Sequence, residues 1–423
     1  MNRNQPPQLE ALTKPSVLNY QKRILSNGVE IIYMNDPQQE VFKMDVVLPV
    51  GAYFQPRPII ASTMLHLLNE GTRSHSSEMI AEFFDYHGAY VDYNCGLHKS
   101  EISLISLNKY ADKTIGMVAE MIADSTFPEH ELEVYLRNKK QQYLVNLEKT
   151  SYLARMEFLR LFFGEQHPYA NHFTREDFDQ VTRPRLLDFY QKRVSALNCR
   201  IFLSGNVSTS VLQEVEKQFS ILQSPVPDVE PAFDIQSQPT GQYRIRKPDA
   251  VQTSIRVGKK GVRLTEEDYT DFQLLNMVLG GYFGSRLMSN IREEKGFTYS
   301  ISSFNVSMKN ASYWNIATDV NADYAEATIT EVRKEILRLQ QEPIPAEELD
   351  LVKSYFHGEL LRELDGVFAQ SDALKHKLNY DTDNTFYLRM IDRMKKCTSE
   401  DLLQAARKHL NIEEMYFVEA GKG

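Results

Sequence analysis

The sequence predicts an α+β protein of two tandem homologous domains, each a mostly antiparallel sheet with helices packed on it. Three observations support this class: chain length, composition and an internal repeat. The chain has 423 residues, enough for two to three domains. Hydrophobic residues make up 42% and charged residues 25%, which excludes disordered, collagen-like and coiled-coil proteins. Strand-like and helix-like runs are segregated within each half, as is typical of α+β folds.

The internal repeat relates two successive halves of the chain. A helical segment that ends at Gly88 matches one that ends at Gly296, and each is followed by an alternating apolar segment. Near the end of each half, RIFLSG finishes at Gly205 and YFVEAG finishes at Gly421. The matched positions keep their order and their spacing drifts by only a few residues. We therefore predict that both halves share one fold.

Each half is predicted to begin with strands and to continue into helices. In the first half, Asn27-Gly28 favours a tight hairpin turn before the strand-like VEIIY and KMDVVLPV. A helix is expected over about residues 59–70, followed by a second helix, the strand EISLISL and longer helices from about Pro128. A last strand over 199–204 and a helix over 208–219 complete the half.

The composition also predicts the domain boundaries. Residues 223–242 read QSPVPDVEPAFDIQSQPTGQ, which is linker composition. We predict an N-terminal domain over 18–222, a linker over 223–242 and a C-terminal domain over 243–423.

Charge, cysteine content and hydropathy limit the partners and the compartment. The net charge is −9, so a global basic footprint for nucleic acid is absent. The three cysteines form no CxxC motif, which argues against a disulfide framework or a Cys-rich zinc site. The N-terminus lacks an apolar signal-peptide core, and no apolar run is long enough to span a membrane. We expect a cytoplasmic protein that binds neither nucleic acid nor membrane.

The known cofactor motifs are absent. The ten histidines form neither HExxH nor the inverted HxxEH. His66, in STMLHLLNEGT, has Glu70 one helical turn away, and it is either a residual metal ligand or a hydrogen-bonded histidine on a packed helix. The Gly-rich GGYFGSR lacks the Lys-Ser/Thr of a phosphate loop, and a turn that lets another chain approach is the better interpretation.

Arg292 and Tyr299 are the candidate functional pair in the second half. Arg292 is predicted near a helix end and Tyr299 on the strand after the Gly296 cap, so that both side chains could converge at one sheet edge. The matching positions of the first half are Phe84 and Val91, which cannot do polar chemistry. The spacing alone leaves an ordinary surface Arg and Tyr as the alternative.

These segments together resemble the pitrilysin/insulinase-type metallopeptidases, the inverzincins, which include the mitochondrial processing peptidase and bacterial two-subunit relatives. The resemblance covers about residues 18–423. Its carriers in the first half are SNGVEIIYMND, VGAYFQP, LLNEGT and HPY. In the second half they are LGGYFGSRLMSNIREEKGFTYSIS and VEAG. It implies a LuxS/processing-peptidase-like metallohydrolase fold in each half.

Compared with that family, the zinc motif is degenerate. Active members read like HFLEHMLFKGT where this chain reads STMLHLLNEGT, so Ser62 replaces the first His and Leu65 the catalytic Glu, while His66 survives. The third ligand, a Glu on a later helix, is also missing, because that region reads RNKKQQYLVNLEK and no acid lies between Glu133 and Glu148. A catalytic zinc needs about three protein ligands and an activated water. The resemblance therefore implies no metal in this chain and no cleavage by it alone.

The resemblance also implies a role for Arg292 and Tyr299. Their six-residue spacing matches a family pair that contacts the substrate backbone, where the two donors polarise the scissile carbonyl. We predict them as catalytic and substrate-binding residues that serve an HxxEH-containing homologous subunit. The chain would be the zinc-free subunit of a heterodimeric peptidase that binds unfolded peptide, with zinc in the partner.

Two other functions stay open at this point. The chain could be a non-enzymatic scaffold or peptide-binding protein of the same fold. It could also be, less simply, a self-sufficient hydrolase with unusual metal ligands.

Overall fold

The computed structural model describes residues 15–197, 199–224, 231–382 and 385–422. It confirms the α+β class, with two sheets and helices outside them. The strands are β1 Gln21–Ile24, β2 Glu30–Asn35, β3 Val41–Leu48, β4 Tyr90–Cys95, β5 Ser100–Leu107, β6 Arg200–Gly205, β7 Gly241–Arg246, β8 Gln252–Lys260, β9 Thr298–Ser307, β10 Ser312–Asn321 and β11 Tyr416–Gly421.

The α-helices include those predicted from about 59, 128 and 208, each of which begins within one residue of its predicted position. They are α1 Ile60–Leu67, α2 Ser77–His87, α3 Ala111–Asp124, α4 Glu129–Leu147, α5 Thr150–Phe163, α6 Arg183–Arg193, α7 Thr209–Phe219, α8 Tyr269–Asn276, α9 Ala325–Gln341, α10 Ala346–Glu363, α11 Gly366–Leu378, α12 Thr385–Lys396 and α13 Ser399–His409. Two segments are wider π-helices, π1 over Met277–Gly281 and π2 over Met288–Glu294.

The first sheet has six strands in the order β1-β2-β6-β3-β5-β4. Only the β2–β6 pairing is parallel, and the other four pairings are antiparallel. Alternating side chains of β3 and β5, such as Met44 and Leu104, are fully buried and form one core with Met64 of α1 and Ile115 of α3. β4 lies at an edge of this sheet.

The second sheet has five strands in the order β7-β11-β8-β10-β9. If β1 is set aside and the five strands of each half are numbered along the chain, both sheets run first, fifth, second, fourth, third. The shared order explains why the sequence repeat keeps register. The core against the second sheet contains Trp314, which is fully buried and donates from Nε1 to Asn276 Oδ1 at 2.8 Å.

The turn residues behave as their sequence context predicts. Gly88 and Gly296 have φ of +58° and +66°, the left-handed conformation that ends helices at low cost for glycine. Gly28, in the turn between β1 and β2, has a φ of +97°. The repeat thus preserves a stop signal as well as apolar positions.

The described residues form two compact units. One contains Leu18–Ala250, Gly366–Asp372 and the chain from Val418 onward, and the other contains Val251–Asp365 and Ala373–Phe417. Residues 225–230 of the predicted linker lie outside the described residues. The domain boundaries proposed from composition stay a prediction.

The structure also bears on the membrane expectation. Within the described ranges, no helix combines the length and the apolar character that crossing a bilayer requires.

Candidate functional site

A π-helical turn presents Arg292. In π2 the Lys295 N–H donates to the Asn290 carbonyl at 3.1 Å, a five-residue step that is wider than the α-helical step. The segment ends at Gly296, whose left-handed conformation turns the chain toward β9. Single π turns inside helices are rare and often occur at functional sites.

A β-bulge brings Tyr299 to the surface. Tyr299 has the same strand parity as Ile301 and Ser303, which are buried, so regular alternation would bury it as well. The register between β9 and β10 shifts between Thr318 and Val320, so two residues of β9 oppose one of β10. As a result Tyr299 is 85% exposed.

Hydrogen bonds from Thr298 stabilise the bulge. Its hydroxyl oxygen is 3.0 Å from the Ser300 carbonyl oxygen and 2.8 Å from the Asp319 carbonyl oxygen, and its single proton can donate to either one. It also accepts from the Ser300 N–H and the Thr318 hydroxyl. The position of Tyr299 is therefore fixed by its neighbours and not by its own packing.

Arg292 lies between two aromatic rings. Its guanidinium carbon is 5.0 Å from the ring centre of Tyr299 and 4.7 Å from that of Phe283. Cation–π contacts of this kind contribute about 0.5–1 kcal/mol at exposed sites. Phe283 is 61% exposed, so neither ring is anchored in the core. The three side chains form a surface group, which we call the Arg292 sandwich.

The sandwich leaves hydrogen-bond donors available. In the part of the chain that the structure describes, no hydrogen bond or ion pair engages the Arg292 guanidinium. A guanidinium has five N–H donors in a planar fork, and the Tyr299 hydroxyl adds another. Such a group can bind carbonyl or carboxylate oxygens. β9 is an edge strand, so its backbone can also pair with an extended chain.

The degenerate zinc motif lies on α1. Ile59, just before this helix, has a φ of +74°, a strained conformation for a β-branched residue. The Ser62 hydroxyl donates to the Ile59 carbonyl at 3.1 Å, and Leu65 is 2% exposed within the first core. Both substituted positions therefore have structural roles: Ser62 stabilises the strained start of the helix and Leu65 fills the core.

His66 is held by an acid and an aromatic ring. Its Nε2 is 3.3 Å from Glu70 Oε1, the predicted neighbour at i+4. Its imidazole stacks on Tyr135 of α4 with 4.3 Å between ring centres. Lys139, one turn further along α4, has its ammonium 5.4 Å from the Tyr135 ring centre. Burial lowers the pKa of His66, Lys139 lowers it further, and Glu70 opposes the decrease.

These residues do not fit a zinc ion. Burial raises the pKa of Tyr135 to about 12 and also raises the pKa of the Cys95 thiol on β4, so neither group is an anionic ligand near neutral pH. The Lys139 ammonium adds positive charge beside His66. Across the ranges that the structure describes, no three His, Cys, Asp or Glu side chains come together in a way that could hold a metal ion. His66 is stacked on Tyr135 and lies within ion-pair distance of Glu70.

We expect the His66 titration to report this environment. A histidine NMR titration, assigned with His66→Gln, should give a pKa below the ordinary value of 6.5. Lys139→Gln should raise that pKa and Glu70→Gln should lower it. The lowered pKa favours the neutral form in the folded state, so its contribution to stability is complete above about pH 6.5 and is lost as pH falls through the folded-state pKa. A lower His66 pKa in Lys139→Gln, or a higher one in Glu70→Gln, would contradict this arrangement.

Sequence reasoning missed three residues around these positions. The pattern GGYFGSR predicts only a turn, and the aromatic residue beside its glycines is the signal that identifies Phe283. Tyr135 and Lys139 lie between Glu133 and Glu148, and only the packing of α4 on α1 shows that Tyr135 stacks on His66 and that Lys139 lies over the Tyr135 ring.

Comparison with known proteins agrees with this description. Residues 180–356 match the family described as "Peptidase M16 inactive domain". The "Uncharacterized zinc protease YmxG" of Bacillus subtilis is 25% identical over 364 residues, 81% of this chain and 83% of that protein. The "Non-peptidase homolog YmxG" of Helicobacter pylori is 22% identical, over 85% and 83%. The crystal structure of a peptidase M16 inactive domain from Pseudomonas fluorescens superposes with a TM-score of 0.87 at 24% identity, over 96% of this chain and 98% of that one.

The repeated sheet order and the remnant of HxxEH define a metallopeptidase fold whose zinc motif is incomplete. Residues 180–356 match the inactive domain of the M16 family, the pitrilysin/insulinase-type peptidases, and most of the chain is similar to a homologue of that family described as a non-peptidase. The absence of zinc from this chain, expected from Ser62 and Leu65, agrees with the inactive-domain match.

Proposed function

We propose that the chain is the zinc-free subunit of a heterodimeric M16 peptidase, supplying Arg292 and Tyr299 to the active site of an HxxEH-containing homologous subunit. The observation that carries this proposal is the Arg292 sandwich. Arg292 has uncommitted donors and lies between exposed rings beside a sheet edge, where each cation–π contact contributes only about 0.5–1 kcal/mol to the stability of its own unit.

The chemistry of the pair supports a role on a peptide carbonyl. As the carbonyl oxygen gains negative charge in the transition state, a preorganised Arg292 guanidinium and Tyr299 hydroxyl stabilise it more than they stabilise the ground state. The two rings around the guanidinium limit its rotamers, so little reorganisation is needed. The hydrolytic chemistry itself belongs to the partner, since His66 and its neighbours cannot hold the metal.

Substrate binding follows from the edge strand. An extended, unfolded peptide can add to β9 through main-chain hydrogen bonds, which gives affinity without strict sequence preference. This places the peptide backbone beside Tyr299. We further propose a cytoplasmic location.

The test is reconstitution. The chain and an HxxEH protein encoded beside its gene are purified separately and together, and cleavage of a quenched fluorescent peptide is measured. We expect no cleavage by this chain alone, co-purification of the two proteins, and a gain in rate on mixing. Stable assembly without a gain in rate, or no assembly, would overturn the proposal and favour a non-enzymatic scaffold.

A further inference from the structure

A second polar site lies in the unit that carries Arg292. It is a cleft of about 480 Å³ whose walls come from π2, α9 and α10 and from the turn before π2. Arg292 and Tyr299 are not among its lining residues. The cleft therefore requires its own explanation.

The cleft walls carry a bidentate ion pair and an amide. Arg286 donates from Nε and Nη2 to the two carboxylate oxygens of Glu348, both at 2.8 Å. Asn290 donates from Nδ2 to Glu335 at 2.8 Å and to Glu331 at 3.0 Å. These bonds fix the orientation of the side chains and leave one polar atom free on each of three of them.

Those three atoms are Arg286 Nη1, Asn290 Oδ1 and Glu335 Oε2, buried and without a hydrogen-bond partner among the described residues. Their side chains are deeply buried: 9% of the Arg286 side chain is exposed, and Asn290 and Glu335 are 8% and 4% exposed. A buried polar atom without a partner costs about 1–3 kcal/mol. Three such atoms belong to the lining of one cleft, and their hydrogen-bonding roles differ. One is a donor and two are acceptors.

Charge restricts the ligand. The Arg286 charge is balanced by Glu348, whereas within the described residues no cation lies at ion-pair distance from the Glu335 carboxylate. Three more cationic side chains line the cleft, and each is ion-paired with an acid outside the lining: Lys295 and Lys334 with Glu331, and Arg338 with Glu342. A simple anion would meet the acidic groups of the lining, which include Glu335 and Glu348, and a simple cation would meet its four basic groups. A ligand that carries both signs, or a cation with an adjacent acceptor, satisfies both.

We propose that this cleft binds an α-ammonium group and its neighbouring carbonyl or carboxylate, as found in a free amino acid or at the N-terminus of a peptide. The ammonium hydrogen-bonds to Glu335 and Asn290, and the carbonyl oxygen accepts from Arg286. Lys334 at the mouth favours a free carboxylate. Tyr282 and Leu351, which also line the cleft, offer an apolar wall to the ligand side chain. The site is independent of the proposed role of Arg292.

The experiment is calorimetric titration of the full chain with four probes. L-Leucine, L-leucinamide and the peptide Leu-Gly-Gly-Gly each carry a free α-ammonium, and N-acetyl-L-leucine does not. We expect saturable binding of at least one ammonium probe and none of N-acetyl-L-leucine. Binding of leucine without the peptide identifies a free amino acid as the ligand, and binding of the peptide as well identifies a chain N-terminus.

Variants separate this site from nonspecific binding. Glu335→Gln should weaken the ammonium probes at least about tenfold, since one charge-assisted hydrogen bond is lost. Glu326→Gln, an exposed change on the same helix, should have no effect. If Glu335→Gln does not fold, Lys334→Ala provides the test, because it should weaken leucine more than leucinamide. The proposal would be overturned if none of the probes binds at millimolar concentration. It would also be overturned if Glu335→Gln and Lys334→Ala bind the probes as wild type does, whatever the outcome of reconstitution.

Discussion

Arg292→Ala should lower kcat of the reconstituted peptidase by about 10²–10³-fold, the loss typical of removing one oxyanion donor. The effect should fall mainly on kcat, because the guanidinium is proposed to act as charge develops on the carbonyl oxygen. Tyr299→Phe keeps the ring against Arg292 but removes the hydroxyl, so it separates positioning from donation. The readout is peptide cleavage at saturating and subsaturating substrate.

Matched controls make this result specific. Tyr86 is 83% exposed on α2 and resembles Tyr299 in exposure, and Arg263 is a surface arginine paired with Glu266. Alanine at either position should leave kcat unchanged. Phe283→Ala should give an intermediate decrease of a few fold, since one cation–π contact of about 0.5–1 kcal/mol is lost. An Arg292→Ala mixture as active as wild type would exclude a role for the sandwich in catalysis.

Leu65→Glu, which restores the family's catalytic residue, should lower the free energy of unfolding by about 3–5 kcal/mol. The reason is that Leu65 is 2% exposed in the first core, where a carboxylate would be buried without a compensating charge. Urea unfolding followed by circular dichroism at neutral pH measures the change. Leu65→Met, which conserves volume, should cost less than about 1.5 kcal/mol.

The same reasoning predicts the outcome of rebuilding the motif. Ser62→His combined with Leu65→Glu recreates HxxEH in sequence, but Tyr135 and Lys139 stay beside His66. We expect purified double variant to contain well under stoichiometric zinc. Wild-type stability together with one bound zinc per chain would show that the surroundings of His66 form an intact metal site. That result would contradict the conclusion that Tyr135 and Lys139 do not fit a zinc ion.

The sequence predicted the parts of the fold that depend on local pattern. The repeat around Gly88 and Gly296 anticipated the shared strand order, because equal spacing of strands and caps leaves few ways to pack them. The loss of the zinc motif could be recognised at Ser62 and Leu65. Both predictions rest on residue identity at a fixed spacing.

Other features depend on geometry that such patterns do not encode. Apolar periodicity does not distinguish the π turn at Arg292 from a regular helix, since both bury Ile291. The bulge turns the Tyr299 side chain to the exposed face of β9, whereas regular alternation would bury it, and no sequence motif marks the bulge. The contact between His66 and Tyr135 joins two helices far apart in the chain, and the cleft at Glu335 joins three elements.

The π-helical turn makes the direction of Arg292 sensitive to the number of residues before it. Each residue in a helix rotates the next side chain by about 100°, so removing one residue between Met288 and Ile291 would return the segment to α-helical winding and turn Arg292 away from Tyr299. A deletion in this stretch would therefore abolish the Arg292 sandwich even though Arg292, Tyr299 and Phe283 are all still present. The length of this segment therefore matters to the sandwich as much as the presence of the arginine.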